Sequence, residues 1–163
     1  MAEDITRILV PVDFSTHSDH ALQYAATLSS KIGASVELLH VVVDPFASGA
    51  LTGETFVPVP EEALQALVKD AEKRLAMLKT EKFPHGSDVD TMAMVGLPAH
   101  TIVEHAEARG FDLIVMGTHG RTGFSHLFMG SVAERVVRTS PCPVLTVRGA
   151  VAAPRPETAP KAA

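Results

Sequence analysis

The sequence predicts one doubly wound α/β domain, in which a parallel sheet of five strands carries helices on both faces. Short apolar runs rich in β-branched residues alternate along the chain with longer stretches whose apolar residues recur every three or four positions. Strands that alternate with helices imply right-handed parallel crossovers within one sheet. The length of 163 residues suits a single compact domain, which we expect over residues 1–149.

The first strand, helix and second strand have clear boundary signals. Residues 7–13 (RILVPVD) form a β-branched run, and the FSTHS that follows offers several helix N-caps, Ser15 among them. The apolar repeat of the first helix reaches Ile32, and Gly33 stands where a glycine would end that helix. Residues 35–43 (SVELLHVVV) become apolar on both faces, as expected for a parallel strand covered by helices.

A long loop precedes the second helix. Residues 44–60 hold three prolines, two glycines and two threonines, and a loop of this length indicates a flap over a binding site. Residues 61–82 then form an amphipathic helix, and residues 89–95 alternate as a third strand. The apolar stripe of that helix consists of Leu64, Leu67, Val68, Ala71, Leu75 and Leu78.

The second half of the chain repeats the alternation. Pro98 opens a third helix that Gly110 ends, and residues 111–117 form the fourth strand. Residues 131–139 form the fourth helix and residues 143–148 the fifth strand. The tail, residues 150–163, has no apolar periodicity, and we expect it to be disordered.

Composition excludes several classes of protein. With 14 Lys and Arg against 19 Asp and Glu the net charge is −5, which argues against nucleic-acid binding. The apolar runs are far shorter than a bilayer span requires, so we expect no membrane segment. Cys142 is the only cysteine and no cluster has zinc spacing, so we expect neither a disulfide nor a metal site. The acidic start leads directly into a strand without a secretory pattern, so we expect a cytoplasmic protein.

The strongest chemical signal is a glycine-rich segment at residues 117–131, between the fourth strand and the fourth helix. In doubly wound sheets ligands bind beyond the carboxyl ends of the strands, and helix N-termini attract phosphate. Residues 113–133 contain no Asp or Glu, and residues 113–148 carry four arginines against one glutamate. This pattern predicts an anion site. The structural alternative is a flexible connection in which Ser131 caps the fourth helix and Glu134 completes a capping box.

Gly117, Gly120, Gly130 and Ser131 match the pattern G-x2-G-x9-G-[ST], and the chain here resembles the ATP-binding branch of the universal stress protein family. The segments RILVPVDFS, LLHVVVD, GLP, DLIVMGTHGR and PCPVLTVR resemble successive blocks of that family in the same order. The resemblance implies a Rossmann-like sheet of the adenine nucleotide alpha hydrolase type, with strand order 3-2-1-4-5.

The resemblance also implies a set of nucleotide-binding residues. Asp13 and the backbone at Val41 would hold the adenine, and Gly117 would border the ribose. Phosphates would lie against the glycine-rich segment and the start of the fourth helix. In full, the implied set is Pro11, Val12, Asp13, Val41, Met116, Gly117, His119, Gly120, Arg121, Gly130, Ser131 and Val132.

Other polar residues have simpler interpretations. Asp13 can also stabilise the N-terminus of the first helix, and Ser15 is interpreted as a helix cap rather than a ligand contact. His17 and His20 lie in a solvated first turn without a third metal ligand. His40 is interpreted as a packed core histidine, and Cys142 as a small hydrophobe.

Taken with the motif, the resemblance implies a nucleotide-sensing regulator of the stress response. Its ligand would be ATP with Mg²⁺, while AMP, ADP and cyclic AMP are left as alternatives. The protein would form a homodimer through the edge of the fifth strand and act on a regulated protein partner. No residue pattern indicates an enzyme, and any ATP hydrolysis would be slow. The alternatives are a nucleotide-free interaction module and a slow ATP-hydrolysing or adenylating enzyme.

Overall fold

The computed structural model describes residues 4–43, 60–83, 88–118 and 129–148. The expected tail, nearly all of the 44–60 loop, and His119, Gly120 and Arg121 lie outside the described residues. Strands and helices alternate along the chain as the sequence predicts. They are β1 Arg7–Pro11, α1 Thr16–Ile32, β2 Ser35–Val43, α2 Glu61–Lys82, β3 Val89–Gly96, α3 Pro98–Arg109, β4 Leu113–Gly117, α4 Ser131–Thr139 and β5 Val144–Val147.

The five strands form one parallel sheet in the order β3-β2-β1-β4-β5, which confirms the predicted fold class and strand order. β1 lies at the centre, paired with β2 on one side and β4 on the other. Strand order therefore reverses beside β1, and the carboxyl ends of β1 and β4 border the crevice that such sheets use for ligands.

The core lies on both faces of the sheet. On one face, Val10 and Leu38 pack with Leu22 of α1 and Leu75 of α2. On the other face, Leu9 and Leu39 belong to a second cluster, whose helical members are Ile102 and Ala106 of α3 and Ala133 and Val136 of α4. The two clusters show that α1 and α2 cover one face while α3 and α4 cover the other.

The boundary signals of the sequence are mostly confirmed. Gly33 and Gly110 end α1 and α3 with φ values of 73° and 62°, in the left-handed region that glycine adopts readily. β1 ends at Pro11, two residues earlier than predicted, although the Val12 N–H still donates to the Leu39 carbonyl at 2.8 Å. The stripe of α2 is less buried than predicted, because Leu67 is 52% exposed.

Asp112 fixes the amino-terminal ends of the two central strands. Its Oδ2 accepts hydrogen bonds from the Thr6 N–H at 2.8 Å, the Thr6 hydroxyl at 2.8 Å and the Arg7 N–H at 2.9 Å. These bonds, the Thr6 backbone bond first, hold the pKa of the Asp112 carboxyl below its ordinary value. The starts of β1 and β4 are therefore tied by one ionised side chain.

A buried charged cluster joins β2 to α3 on the face that these two elements share. Glu37 Oε1 lies 2.5 Å from His105 Nε2, with side-chain exposures of 5% and 8%. The guanidinium of Arg109 approaches the other carboxylate oxygen at 3.4 Å and is itself half exposed. Glu37 is the third of the nine residues of β2, and Arg109 is the last residue of α3, so this cluster lies away from the carboxyl end of β2.

Across the described ranges, none of the helices combines the length and apolar character needed to cross a bilayer.

Candidate functional site

A cavity of about 680 Å³ lies at the carboxyl ends of β1, β2 and β4. Its walls come from the strand ends, from α2 and from the first residues of α3 and α4. The volume falls within the range of small-molecule sites. The lining residues are Pro11, Val12, Asp13, Phe14, Ser18, Leu39, His40, Val41, Val42, Val43, Leu67, Asp70, Ala71, Arg74, Pro98, Ile102, Met116, Gly117, Thr118, Gly130, Ser131, Val132 and Ala133.

The structure brings together, around this cavity, all the site residues from the sequence that it describes. They are Pro11, Val12, Asp13, Val41, Met116, Gly117, Gly130, Ser131 and Val132. His119, Gly120 and Arg121 fall outside the described residues. Convergence on one cavity is a geometric result, and the contact of each residue with a nucleotide stays a prediction.

The turn after β1 is held by side-chain hydrogen bonds. Asp13 Oδ1 accepts from the Ser15 N–H at 3.0 Å and from the Ser15 hydroxyl at 2.6 Å. Ser15 is the N-cap of α1, since its hydroxyl oxygen accepts from the Ser18 N–H at 3.2 Å. The interpretation of Ser15 as a cap is confirmed. Asp13 therefore has a structural role in this turn while it also lines the cavity.

The N-terminus of α4 differs from the capping-box alternative. Gly130 is the N-cap, without a side-chain cap bond, and Ser131 is the first helical residue, so the interpretation of Ser131 as the cap is wrong. The Gly130 N–H donates to the Thr118 carbonyl at 2.7 Å. In the part of the chain that the structure describes, the N–H groups of Ser131, Val132 and Ala133 have no acceptor. These three amides, rather than that of Gly130, can bind an anion in the cavity.

Gly117 is required by packing within the protein. A Cβ atom at this position would lie 2.9 Å from both the carbonyl carbon and the carbonyl oxygen of His17, in the first turn of α1. Gly117 also lines the cavity, so its implied place beside the ribose stays a prediction.

The lining residues outside the predicted set include Phe14, His40 and Arg74, and Phe14 contacts both of the others. Phe14 has a φ of 62°, which is uncommon for a residue with a side chain. Its ring lies 4.5 Å from the His40 ring, and the guanidinium carbon of Arg74 lies 3.7 Å from the Phe14 ring centroid. The helical period could have indicated Arg74, because it follows Leu67 by seven residues on the α2 stripe.

The described histidines and Cys142 do not cluster as the ligands of a metal ion would. Within residues 4–43, 60–83, 88–118 and 129–148, His, Cys, Asp and Glu form no group of three or more that could hold a metal ion. His40 is partly exposed in the cavity wall, with Nδ1 2.6 Å from the Val12 carbonyl oxygen, so the interpretation as a packed core histidine is wrong. Cys142 packs against the α3–α4 cluster, and burial raises the pKa of its thiol. A raised thiol pKa favours the packing role over a reactive one.

The fold and the position of the cavity define the chain as a doubly wound α/β protein with a cavity at the switch point of its sheet. The sequence profile of the Universal stress protein family matches residues 4–148. The chain is 37% identical to Universal stress protein MJ0531 of Methanocaldococcus jannaschii over 145 aligned residues. The alignment covers 87% of this chain and 81% of that protein. It therefore belongs to the universal stress protein family.

Solved structures agree with this assignment. The structure of MJ0577, also of Methanocaldococcus jannaschii, superposes with a TM-score of 0.76 at 32% identity, and the match covers 90% of this chain and 97% of that one. A universal stress protein solved in complex with cAMP matches with a TM-score of 0.59 at 22% identity, over 91% of this chain and all of that one, a level that shows the fold alone.

Proposed function

We propose that this protein binds an adenine nucleotide, ATP with Mg²⁺ in the first place, in the cavity at the strand ends, and that it acts as a nucleotide-sensing regulator of the stress response. The observation that carries the proposal is the first turn of α4, whose Ser131 and Val132 line the cavity and whose amides lack acceptors within the described ranges. The partial positive charge of a helix N-terminus adds to the attraction for phosphate.

Other residues of the cavity lining suit the nucleoside part. They are the apolar Val12, Val41, Leu39 and Met116, together with Asp13. A pocket that is mostly apolar with a few polar groups is typical of a site for a flat heterocycle. Mg²⁺ would enter with the phosphates, as it does where proteins supply few ligands of their own. The cAMP complex of the related fold fits an adenine nucleotide, and ADP, AMP and cyclic AMP stay alternatives to ATP.

We expect Gly130→Val to weaken ATP binding at least tenfold, equivalent to about 1.4 kcal/mol. The backbone of Gly130 has a φ of −62° and a ψ of 147°, which valine also adopts, so the added side chain crowds the cavity without straining the chain. Equilibrium binding of labelled ATP with Mg²⁺ measures the change. Val137→Ala, at an exposed position of α4 outside the cavity, is the matched control and should bind like the wild type.

The result also separates the alternatives. Absence of saturable ATP binding by the wild type up to millimolar concentration would contradict the proposal and favour a nucleotide-free interaction module. Rapid ATP turnover, above about 1 s⁻¹, would favour an enzyme over a regulator. Unchanged affinity in Gly130→Val would place the phosphates elsewhere.

The proposed regulator acts as a homodimer that pairs the β5 edge with its copy, and it signals to a protein partner in the cytoplasm. β5 forms one edge of the sheet and all four of its residues are partly exposed. The Pro143 and Val147 carbonyls accept from β4, at 3.0 Å from Ile114 and 3.1 Å from Thr118. Because backbone groups alternate in direction along a strand, those of Val144 and Thr146 point away from β4 and can pair with a second chain.

Thr146→Pro is expected to convert a dimer to a monomer. Proline removes the outward N–H of this residue while the residues that bond to β4 keep theirs, and proline is tolerated at an edge strand. Light scattering at micromolar concentration measures the mass of both forms. A wild type that is already monomeric, or a proline variant that stays dimeric, would exclude pairing through this edge.

A further inference from the structure

Arg74, a residue of α2, lines the cavity, and its guanidinium stacks on an aromatic ring. Its guanidinium carbon lies 3.7 Å from the centroid of the Phe14 ring, close enough for a cation–π contact. The Phe14 ring in turn lies 4.5 Å from the ring of His40, whose Nδ1 is 2.6 Å from the Val12 carbonyl oxygen. The guanidinium is therefore stacked on a ring from the turn after β1, and that ring packs on His40 of β2.

The hydrogen-bonding capacity of this guanidinium is unused by the described part of the protein. Asp70 is its ion-pair partner, but the Asp70 Oδ2 lies 4.0 Å away, beyond hydrogen-bond length. A guanidinium carries five N–H donors in one plane. The Arg74 side chain is 44% exposed and makes no hydrogen bond to a described acceptor, so its stacked guanidinium can donate to acceptor atoms of a ligand.

Arg74 and the first turn of α4 approach the cavity from opposite faces of the sheet. The neighbours of Arg74 on α2, Leu75 and Leu78, pack in the cluster of α1. Ala133 of α4 packs in the other cluster, with α3. A nucleotide that spans the cavity from phosphates at the start of α4 would bring its nucleoside part near Arg74, where ring nitrogens and ribose oxygens could accept hydrogen bonds.

We propose that Arg74 is a binding residue for the nucleoside part of the nucleotide, held in position by Phe14. This inference rests on the proposed function. It adds a cationic contact on α2 to the residues that the sequence motif indicates, and it makes base and ribose recognition depend on the helix that follows the 44–60 loop.

The test compares Arg74→Met and the wild type with three ligands: ATP, AMP and adenosine, the last two as competitors of labelled ATP. Methionine keeps an apolar side chain over Phe14 and removes the charge and the donors. We expect the affinity for all three ligands to fall by the same factor, about tenfold. Arg74→Lys keeps the charge but loses the planar set of N–H donors, so its affinities should lie between those of the wild type and of Arg74→Met.

Lys73→Met is the matched control, because Lys73 precedes Arg74 on α2, is exposed and does not line the cavity. It removes the same charge and should leave all three affinities unchanged. Thermal unfolding of both variants checks that α2 stays folded.

Several results would overturn the inference. Equal affinities of Arg74→Met and the wild type would do so, and so would a loss that grows from adenosine to AMP to ATP, because that pattern identifies a phosphate contact. Failure of adenosine to displace ATP from the wild type at 10 mM would also count against it, since the nucleoside part would then contribute too little. A wild type that binds no nucleotide removes the proposed function itself, whereas unchanged binding by Arg74→Met removes only the role of Arg74.

Discussion

Replacing His105 by leucine is expected to lower the free energy of unfolding by about 3 kcal/mol, because it leaves the buried Glu37 carboxylate without its close hydrogen-bond partner. Leucine fills a similar volume but removes the partner at 2.5 Å from the Glu37 carboxylate, whose side chain is only 5% exposed. Among the described residues, Arg109 would then be the one charged group beside the Glu37 carboxylate. Its half-exposed guanidinium lies 3.4 Å from Glu37 Oε2. Urea unfolding at neutral pH measures the loss.

The double variant Glu37→Leu, His105→Leu should recover most of the lost stability. Leu39, Ile102 and Ala106 already pack on this face, so two further apolar side chains suit their surroundings and leave no buried charge. Glu107→Ala, at an exposed position of the same helix, is the control and should change stability by less than about 0.5 kcal/mol. A single His105→Leu variant as stable as this control would show that the buried pair contributes little.

Gly117→Ala is expected to cost about 2–3 kcal/mol of stability, the upper part of the range for overpacking. The new Cβ would meet the backbone of His17 at 2.9 Å, and a backbone in the first turn of a helix cannot rotate away as a side chain can. α1 would have to shift from β4, and the Asp13–Ser15 turn at the cavity would shift with it. We therefore expect weaker ATP binding even in the folded variant.

Gly33→Ala separates this clash from the conformational effect of losing a glycine. Gly33 has a φ of 73° and open space around its Cβ position, so alanine there suffers only backbone strain, about 1–2 kcal/mol. Its ATP affinity should equal that of the wild type, because Gly33 is remote from the cavity lining. If Gly117→Ala proved as stable as the wild type, the contact between β4 and α1 would have to be looser than the structure shows.

Much of the fold could be predicted from the sequence because its signals are local. Three kinds of signal act within a few residues. They are the spacing of apolar residues, the glycines that end helices, such as Gly33 and Gly110, and the proline that begins one, Pro98. The alternation of strands and helices then restricts the sheet to parallel crossovers. Strand order required the family resemblance, since periodicity does not say which strands are neighbours.

The parts of the site that the sequence did not reveal depend on contacts between distant residues. Phe14 and Arg74 meet across 60 positions, and Glu37 and His105 across 68, so neither pair leaves a local pattern. Leu67 was read as a core residue because it lies on the apolar stripe of α2, but the stripe continues over the cavity, where nothing described covers it. The packing role of Gly117 likewise depends on a distant residue, His17, so no local pattern indicates it.

The hydrogen bond from the Gly130 N–H to the Thr118 carbonyl joins the two chain positions that flank residues 119–129. Closing a connection of n residues costs entropy that grows only with the logarithm of n, so doubling its length costs about 0.6 kcal/mol. Relatives or engineered variants that keep this bond can therefore lengthen the intervening stretch, even by an inserted reporter peptide, while β4 and α4 keep their mutual position.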